Sequence, residues 1–175
     1  CKLYVGDKGI EVNNVSDLLV DQCEFDYILN AAAYSNRNMK VTNSTFTYTN
    51  GVNYNGDNAE LVIENSTFVK NRSDIQAFDY NNESSSTVVK VYNNTFIPCK
   101  DPANFVIADN VTAFVEGNIL AGSDFYFTNT GYELRLKTFA NNLIASKLPE
   151  TDVISEKDNI KLENAIKLYR TILDG

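Results

Sequence analysis

Apolar and polar residues alternate along this chain in short runs, and the runs recur. Six segments align: Val20-Asp21-Gln22-Cys23-Glu24-Phe25, Val41-Thr42-Asn43-Ser44-Thr45-Phe46, Ile63-Glu64-Asn65-Ser66-Thr67-Phe68, Val91-Tyr92-Asn93-Asn94-Thr95-Phe96, Val115-Glu116-Gly117-Asn118-Ile119-Leu120 and Phe139-Ala140-Asn141-Asn142-Leu143-Ile144. Their last residues are 21, 22, 28, 24 and 24 positions apart, which is a solenoid period. Each segment begins and ends on an inward apolar residue and places Asn, Ser or Cys where the chain must bend. Asn tolerates left-handed backbone and can hydrogen-bond to its own backbone or to its counterpart in the next coil, which makes a stacked ladder.

A short apolar strand follows each segment, around Ile28 to Ala33, Val52-Asn53-Tyr54, Ile75-Gln76-Ala77, Phe105-Val106-Ile107 and Phe125-Tyr126-Phe127. Alternation of period two makes these strands, and no helical segment separates one rung from the next. The pattern predicts an all-β parallel β-helix of about six rungs over residues 1–146, about 29 Å tall at the usual strand spacing. Residues 147–175 differ. Leu162, Ile166, Tyr169 and Ile172 or Leu173 recur at helical spacing behind a helix start at Ser155-Glu156-Lys157-Asp158. A C-terminal linker and capping α-helix are expected there, covering the open apolar end through which solenoids otherwise self-associate.

The Val/Ile-x-Asn-Ser/Asn-Thr-Phe segments, spanning about residues 9 to 145, resemble the right-handed parallel β-helix superfamily. That superfamily includes pectate lyases, chondroitinase B-like lyases, phage tailspikes and polymorphic surface adhesins. The resemblance implies the fold, and no single activity, because the group holds lyases, hydrolases, epimerases, adhesins and inert scaffolds. It also implies a secreted or surface-exposed microbial protein. Gly9-Ile10-Glu11-Val12-Asn13-Asn14 reads as a coil already in progress, so further rungs are expected upstream.

Charge narrows the partners. Fifteen Lys+Arg against 23 Asp+Glu give a net charge of −8, and with no basic run this disfavours nucleic acid. The 43 % hydrophobic content suffices for a core, while no run approaches the roughly 20 apolar residues of a membrane span. Three cysteines, Cys1, Cys23 and Cys99, are too few and too odd in number for a disulfide framework, so Cys23 and Cys99 read as small buried hydrophobes. Without His or a CxxC pair, zinc is disfavoured. The chain opens on Cys1-Lys2-Leu3-Tyr4-Val5, with no basic start or apolar run of an export signal. A lipid-bearing Cys1 is an alternative, against which stands the strand that follows at once. Leu148-Pro149-Glu150-Thr151-Asp152 resembles a sortase signal but lacks its final Gly and apolar tail. Asn-x-Ser/Thr sequons lie at Asn14, Asn43, Asn65, Asn71, Asn82, Asn93 and Asn110; at three of them the repeat's turn geometry explains the Asn equally well.

Stacking turns sequence spacing into columns. Aligning Ile75 with Phe105 and Phe125 puts Asp79, Asp109 and Asn129 in one column. Two carboxylates at about 4.8 Å call for a shared proton, a cation or a turn capped by each side chain, and the cation expected is calcium. The superfamily resemblance implies a basic residue as proton acceptor in a lyase. Lys70 and Arg72 are the basic pair nearest the acidic column. Lys40 and Lys90 share a register as ordinary outward lysines. Glu24, Thr45, Thr67 and Thr95 form an outward column, with Thr47, Val69 and Ile97 beside it, similar to the faces of ice-binding solenoids and equally a sign of β-propensity. Tyr48, Tyr54, Tyr80, Tyr92 and Tyr126 are placed partly outward, and Tyr54, Tyr80, Tyr92 and Tyr126 are the candidates for stacking on sugar rings.

Two functions follow from these features. The leading one is a non-catalytic extracellular module, binding a polysaccharide or surface glycan or acting as an adhesive or structural solenoid. The alternative is a lyase that cleaves an acidic glycan by calcium-assisted β-elimination. The repeat itself makes one prediction: if the Phe25, Phe46, Phe68 and Phe96 column is a buried stack, Phe68→Ala costs about 3–5 kcal/mol. An unchanged melting midpoint would refute it.

Overall fold

The computed structural model describes residues 1–79, 86–97, 104–108, 110–121, 124–128, 136–145 and 158–161. Among them the strands run β1 (Lys2–Gly6), β2 (Ile10–Val12), β3 (Asp17–Asp21), β4 (Glu24–Ile28), β5 (Ala31–Ser35), β6 (Asn38–Thr42), β7 (Thr45–Thr47), β8 (Asn50–Gly56), β9 (Glu60–Glu64), β10 (Thr67–Val69), β11 (Ser73–Asp79), β12 (Val88–Tyr92), β13 (Thr95–Ile97), β14 (Asn104–Ala108), β15 (Thr112–Glu116), β16 (Ile119–Leu120), β17 (Asp124–Thr128), β18 (Leu136–Ala140), β19 (Leu143–Ile144) and β20 (Ile160–Lys161). From β1 to β19 every third strand joins the same sheet, which makes three faces of a prism. Face I holds eight strands, in the order β1-β4-β7-β10-β13-β16-β19-β20. Face II runs from β2 through β5, β8, β11 and β14 to β17, and face III from β3 through β6, β9, β12 and β15 to β18. Neighbouring strands are parallel, so the chain is an all-β parallel solenoid with three strands per turn.

Period-two alternation accounts for the core. On face I, Phe25, Phe46, Phe68 and Phe96 stack with ring centroids 4.7 to 4.9 Å apart and all lie within 1 % of complete burial. Leu120 and Ile144 continue that column in register. Face III contributes Val20, Val41, Ile63, Val91, Val115 and Phe139, and face II contributes Ala33, Val52 and Ile75. The face II strand after the first aligned segment, β5, begins at Ala31; Ile28, expected to open it, instead ends β4 on face I.

The corner from face III to face I shows why the repeat needs two special residues in succession. Gln22, Asn43, Asn65, Asn93, Gly117 and Asn141 take left-handed backbone, with φ between 51° and 69°, and turn the chain. Asn suits that conformation, and Gly117 suits it further because a Cβ there would lie 2.4 Å from Asn93 Oδ1. The next residue in each coil points inward. The amides of Cys23, Ser44, Ser66, Asn94, Asn118 and Asn142 donate in turn to Oγ of Ser44, Oγ of Ser66, and Oδ1 of Asn94, Asn118, Asn142 and Asn159, at 2.9 to 3.2 Å. Buried amides without a sheet partner are thereby satisfied one coil at a time.

Two expectations change at the ends. Cys1 lies one period before Cys23, stacks on it at a Cα separation of 4.5 Å, and forms a disulfide with it. Cys23 is therefore buried as expected but bonded. A thioether-linked lipid would compete for the same sulfur, which removes the support for a lipid-bearing Cys1. At the other end, the Asp158 carbonyl accepts a hydrogen bond from the Asn141 amide, Asn159 extends the ladder by one more coil, and β20 pairs with β19. Residues 158–161 thus extend face I where the sequence pattern places a helix. The remainder of the expected capping helix, and Cys99, lie outside the described residues.

Asn118 Oδ1 accepts from Asn94, and its Nδ2 donates to Val91 O and Asn142 Oδ1. Asn118→Ala strands several buried partners and is expected to cost about 3–5 kcal/mol in urea unfolding, whereas Lys40→Ala, at an exposed position inside β6, costs less than about 1. A cost for Asn118→Ala no larger than that of the exposed site contradicts the ladder. The disulfide closes a loop of 22 residues, so reductant is expected to lower stability by about 3 kcal/mol, to the level of Cys23→Ser. Identical midpoints with and without reductant contradict the pairing.

Candidate functional site

The candidate residues read from the sequence fall in separate places. Arg72 and Asp79 stand at opposite ends of β11, seven residues and about 23 Å apart along an extended strand. Lys70 sits at the face I to face II corner, exposed, with its ammonium 5.8 Å from the Tyr48 ring centroid. The expected closeness of Lys70 and Arg72 to the acidic column is therefore corrected: strand length separates them from it. Asp79 is buried and in register with Gly56 on one side. Its predicted neighbours Asp109 and Asn129 lie outside the described residues, so the calcium pair lies partly outside them too. Among the described residues no three of Asp, Glu, Cys or His group as metal ligands would.

The tyrosines divide similarly. Tyr54 is 1 % exposed, which corrects its assignment as a sugar platform. It points inward because Val52, Asn53 and Tyr54 alternate in, out and in, and its register neighbours Ser35 and Ala77 are small enough to admit the ring. Burial, with the Asp79 and Glu60 carboxylates adding to it, pushes its phenol well above the usual range. Tyr80 lies outside the described residues, and of Tyr126 only the strand position, in register with Val106, is described.

Tyr92 does face outward, half-buried on face III between Glu64 and Glu116 in register. Desolvation, then the Glu116 charge, raises its pKa. It lines a shallow cleft of about 320 Å³ with Glu64, Asn93, Glu116, Gly117 and Asn141. Both carboxylates in that cleft are engaged: Lys40 pairs with Glu64 at 3.2 Å, and the Thr138 hydroxyl donates to Glu116.

Face II carries a second open cleft of about 340 Å³, lined by Lys8, Glu11, Asn30, Ala31, Tyr34, Asn50 and Asn53. Its floor is one register column of outward residues, Glu11, Tyr34 and Asn53, which Gln76 continues on the next coil beyond the cleft. Lys8 pairs with Glu11, and that hydrogen bond holds the Glu11 carboxyl below its usual range. The amide of Asn50 donates to Leu29 O at 2.8 Å, and that of Asn30 to Asp7 Oδ1 at 2.6 Å, which anchors both at the rim. The floor therefore offers amide donors and acceptors around one tyrosine, with its charges paired. Tyr34 was not among the sequence candidates, although its place next to buried Ala33 and Ser35 marks it as outward.

A family model described as the right handed beta helix region matches residues 1–148. Searches of curated proteins and of solved structures returned no match. Among the described residues no helix is long and apolar enough to cross a membrane.

Proposed function

The chain belongs to the right-handed β-helix family, and we propose that within it this solenoid is a non-catalytic extracellular or cell-surface module that binds a glycan along face II. The observation that carries this reading is the column Glu11, Tyr34 and Asn53 across an open cleft, continued by Gln76 on the next coil. A sugar presents hydroxyls that both donate and accept, together with an apolar ring face. Asn and Gln amides supply donors and acceptors in one group, and a tyrosine ring supplies the plate. The column repeats these groups at strand spacing, so a polymer can engage several coils at once.

Charge selects the kind of glycan. The chain carries −8, and Lys8, the one cation among the described residues that line this cleft, is paired to Glu11, so an acidic polymer would be repelled. A neutral polysaccharide fits. The Cys1–Cys23 disulfide supports an oxidising compartment and hence the extracellular placement. Adhesion or scaffolding by the rigid prism is compatible with the same surface, since glycan binding needs no moving part.

Affinity electrophoresis through gels holding mannan, glucan, galactan or polygalacturonate tests the reading. Retardation by a neutral polymer is expected, with Tyr34→Ala weakening it about tenfold, equivalent to about 1.4 kcal/mol. The melting midpoint should hold, because the ring lies on the outer face. If no neutral polymer retards the protein, or Tyr34→Ala is retarded as strongly as the parent, glycan binding on face II is wrong.

A further inference from the structure

The corner from face I to face II differs from the asparagine corner. It gives left-handed backbone to Val5, Tyr27, Tyr48 and Lys70, with φ of 48°, 55°, 52° and 51°. These are residue types that the left-handed region disfavours, and behind them the buried amide of Thr49 donates to Asn71 Oδ1 at 2.9 Å, which ties the Tyr48 coil to the Lys70 coil. The side chains point into solvent: Tyr27 is 52 % and Tyr48 42 % exposed. Their rings nevertheless stack, with centroids 4.8 Å apart and planes tilted by 20°. The Lys70 ammonium covers the far side of Tyr48 at 5.8 Å, so the aromatic neighbour of Tyr48 in this column is Tyr27.

Two exposed phenols held together by the register of successive coils are arranged for one particular chemistry. We propose that Tyr27 and Tyr48 form a site of oxidative dityrosine cross-linking between consecutive coils, with a peroxide and a peroxidase-type one-electron oxidant as co-reactants. Each phenol gives up one electron and one proton to become a phenoxyl radical. The two radicals couple through carbons ortho to the oxygens, forming one C–C bond, and the two ortho hydrogens return as phenol protons. One peroxide is reduced to two waters, and the protein loses two hydrogens.

Geometry favours this pair over others. The buried Phe25, Phe46, Phe68 and Phe96 stack has the same spacing but no phenol to oxidise and no access. Tyr54 is buried, and Tyr34 lies on face II in register with Glu11 and Asn53, away from another described tyrosine. The exposed rings can rotate about their side-chain torsions to bring ortho carbons together, while the backbone holds the coils one strand spacing apart. The cross-link would continue the sequence of covalent ties begun by Cys1–Cys23, binding the next coil to the one that disulfide secures.

The test is treatment of dilute full-length chain with hydrogen peroxide and a haem peroxidase, followed by intact mass and, after reduction and alkylation, tryptic mapping. Cleavage after Lys8, Arg37, Lys40 and Lys70 puts Tyr27 with Tyr34 in peptide 9–37, and Tyr48 with Tyr54 in peptide 41–70. The expected result is a monomer lighter by two hydrogens, in which peptides 9–37 and 41–70 are joined. Tyr27→Phe and Tyr48→Phe, which keep the stacked ring, should each reduce that species at least tenfold, and Tyr34→Phe should leave it. A link that forms only between molecules, maps elsewhere, persists in Tyr27→Phe or fails to form overturns the proposal.

Discussion

The interaction on which this structure depends is the hydrogen bond from one buried corner amide to the side chain one coil below it. A parallel strand cannot supply that partner, because at the corner the chain has left one sheet and not yet joined the next. An unsatisfied amide there would cost about 1–3 kcal/mol in every coil. The side chains of Ser44, Ser66, Asn94, Asn118, Asn142 and Asn159 remove that cost only if each coil sets its corner residue directly over the last. The phenylalanine stack obeys the same register from the neighbouring strand. Changes in coil length must therefore be absorbed elsewhere. The 28-residue coil, from Phe68 to Phe96, has eight residues between β11 and β12, where the preceding coil has three between β8 and β9.

A prism whose interior is so constrained leaves its outer positions free to vary. The three faces carry different chemistry on one scaffold. Face I shows Thr45, Thr67 and Thr95 in register beside Thr47, Val69 and Ile97. Face III interleaves Lys40 and Lys90 with Glu64 and Glu60, which pair with them. Face II carries the amide and tyrosine column. Such a surface suits recognition of a long repetitive ligand, because the ligand's repeat can be met by the protein's own.

The interior was legible because its rules are local. Period-two alternation and the Asn-Ser/Asn pair state which residue turns the chain and which one enters the core, and the register follows by counting. The corner tyrosines were legible in part. Tyr48 was placed outward and is so, whereas Tyr27 was not singled out; both stand two residues after a buried Phe, where alternation points inward, and the left-handed turn reverses them. Tyr54 was misplaced although its own Val52-Asn53-Tyr54 pattern points it inward. The disulfide was hidden by counting cysteines instead of noting that Cys1 precedes Cys23 by one period. Lys70 and Arg72 illustrate a further limit: nearness in sequence to β11 does not say at which end of a seven-residue strand a side chain stands.

The central claim is that buried corner hydrogen bonds hold the coils in register. Native-state amide hydrogen exchange measures it directly, residue by residue. The amides of Ser44, Ser66, Asn94 and Asn118 are predicted to exchange among the slowest in the chain, through openings that also release the neighbouring strands. Exchange of these four as fast as that of solvent-exposed corner amides would contradict the account.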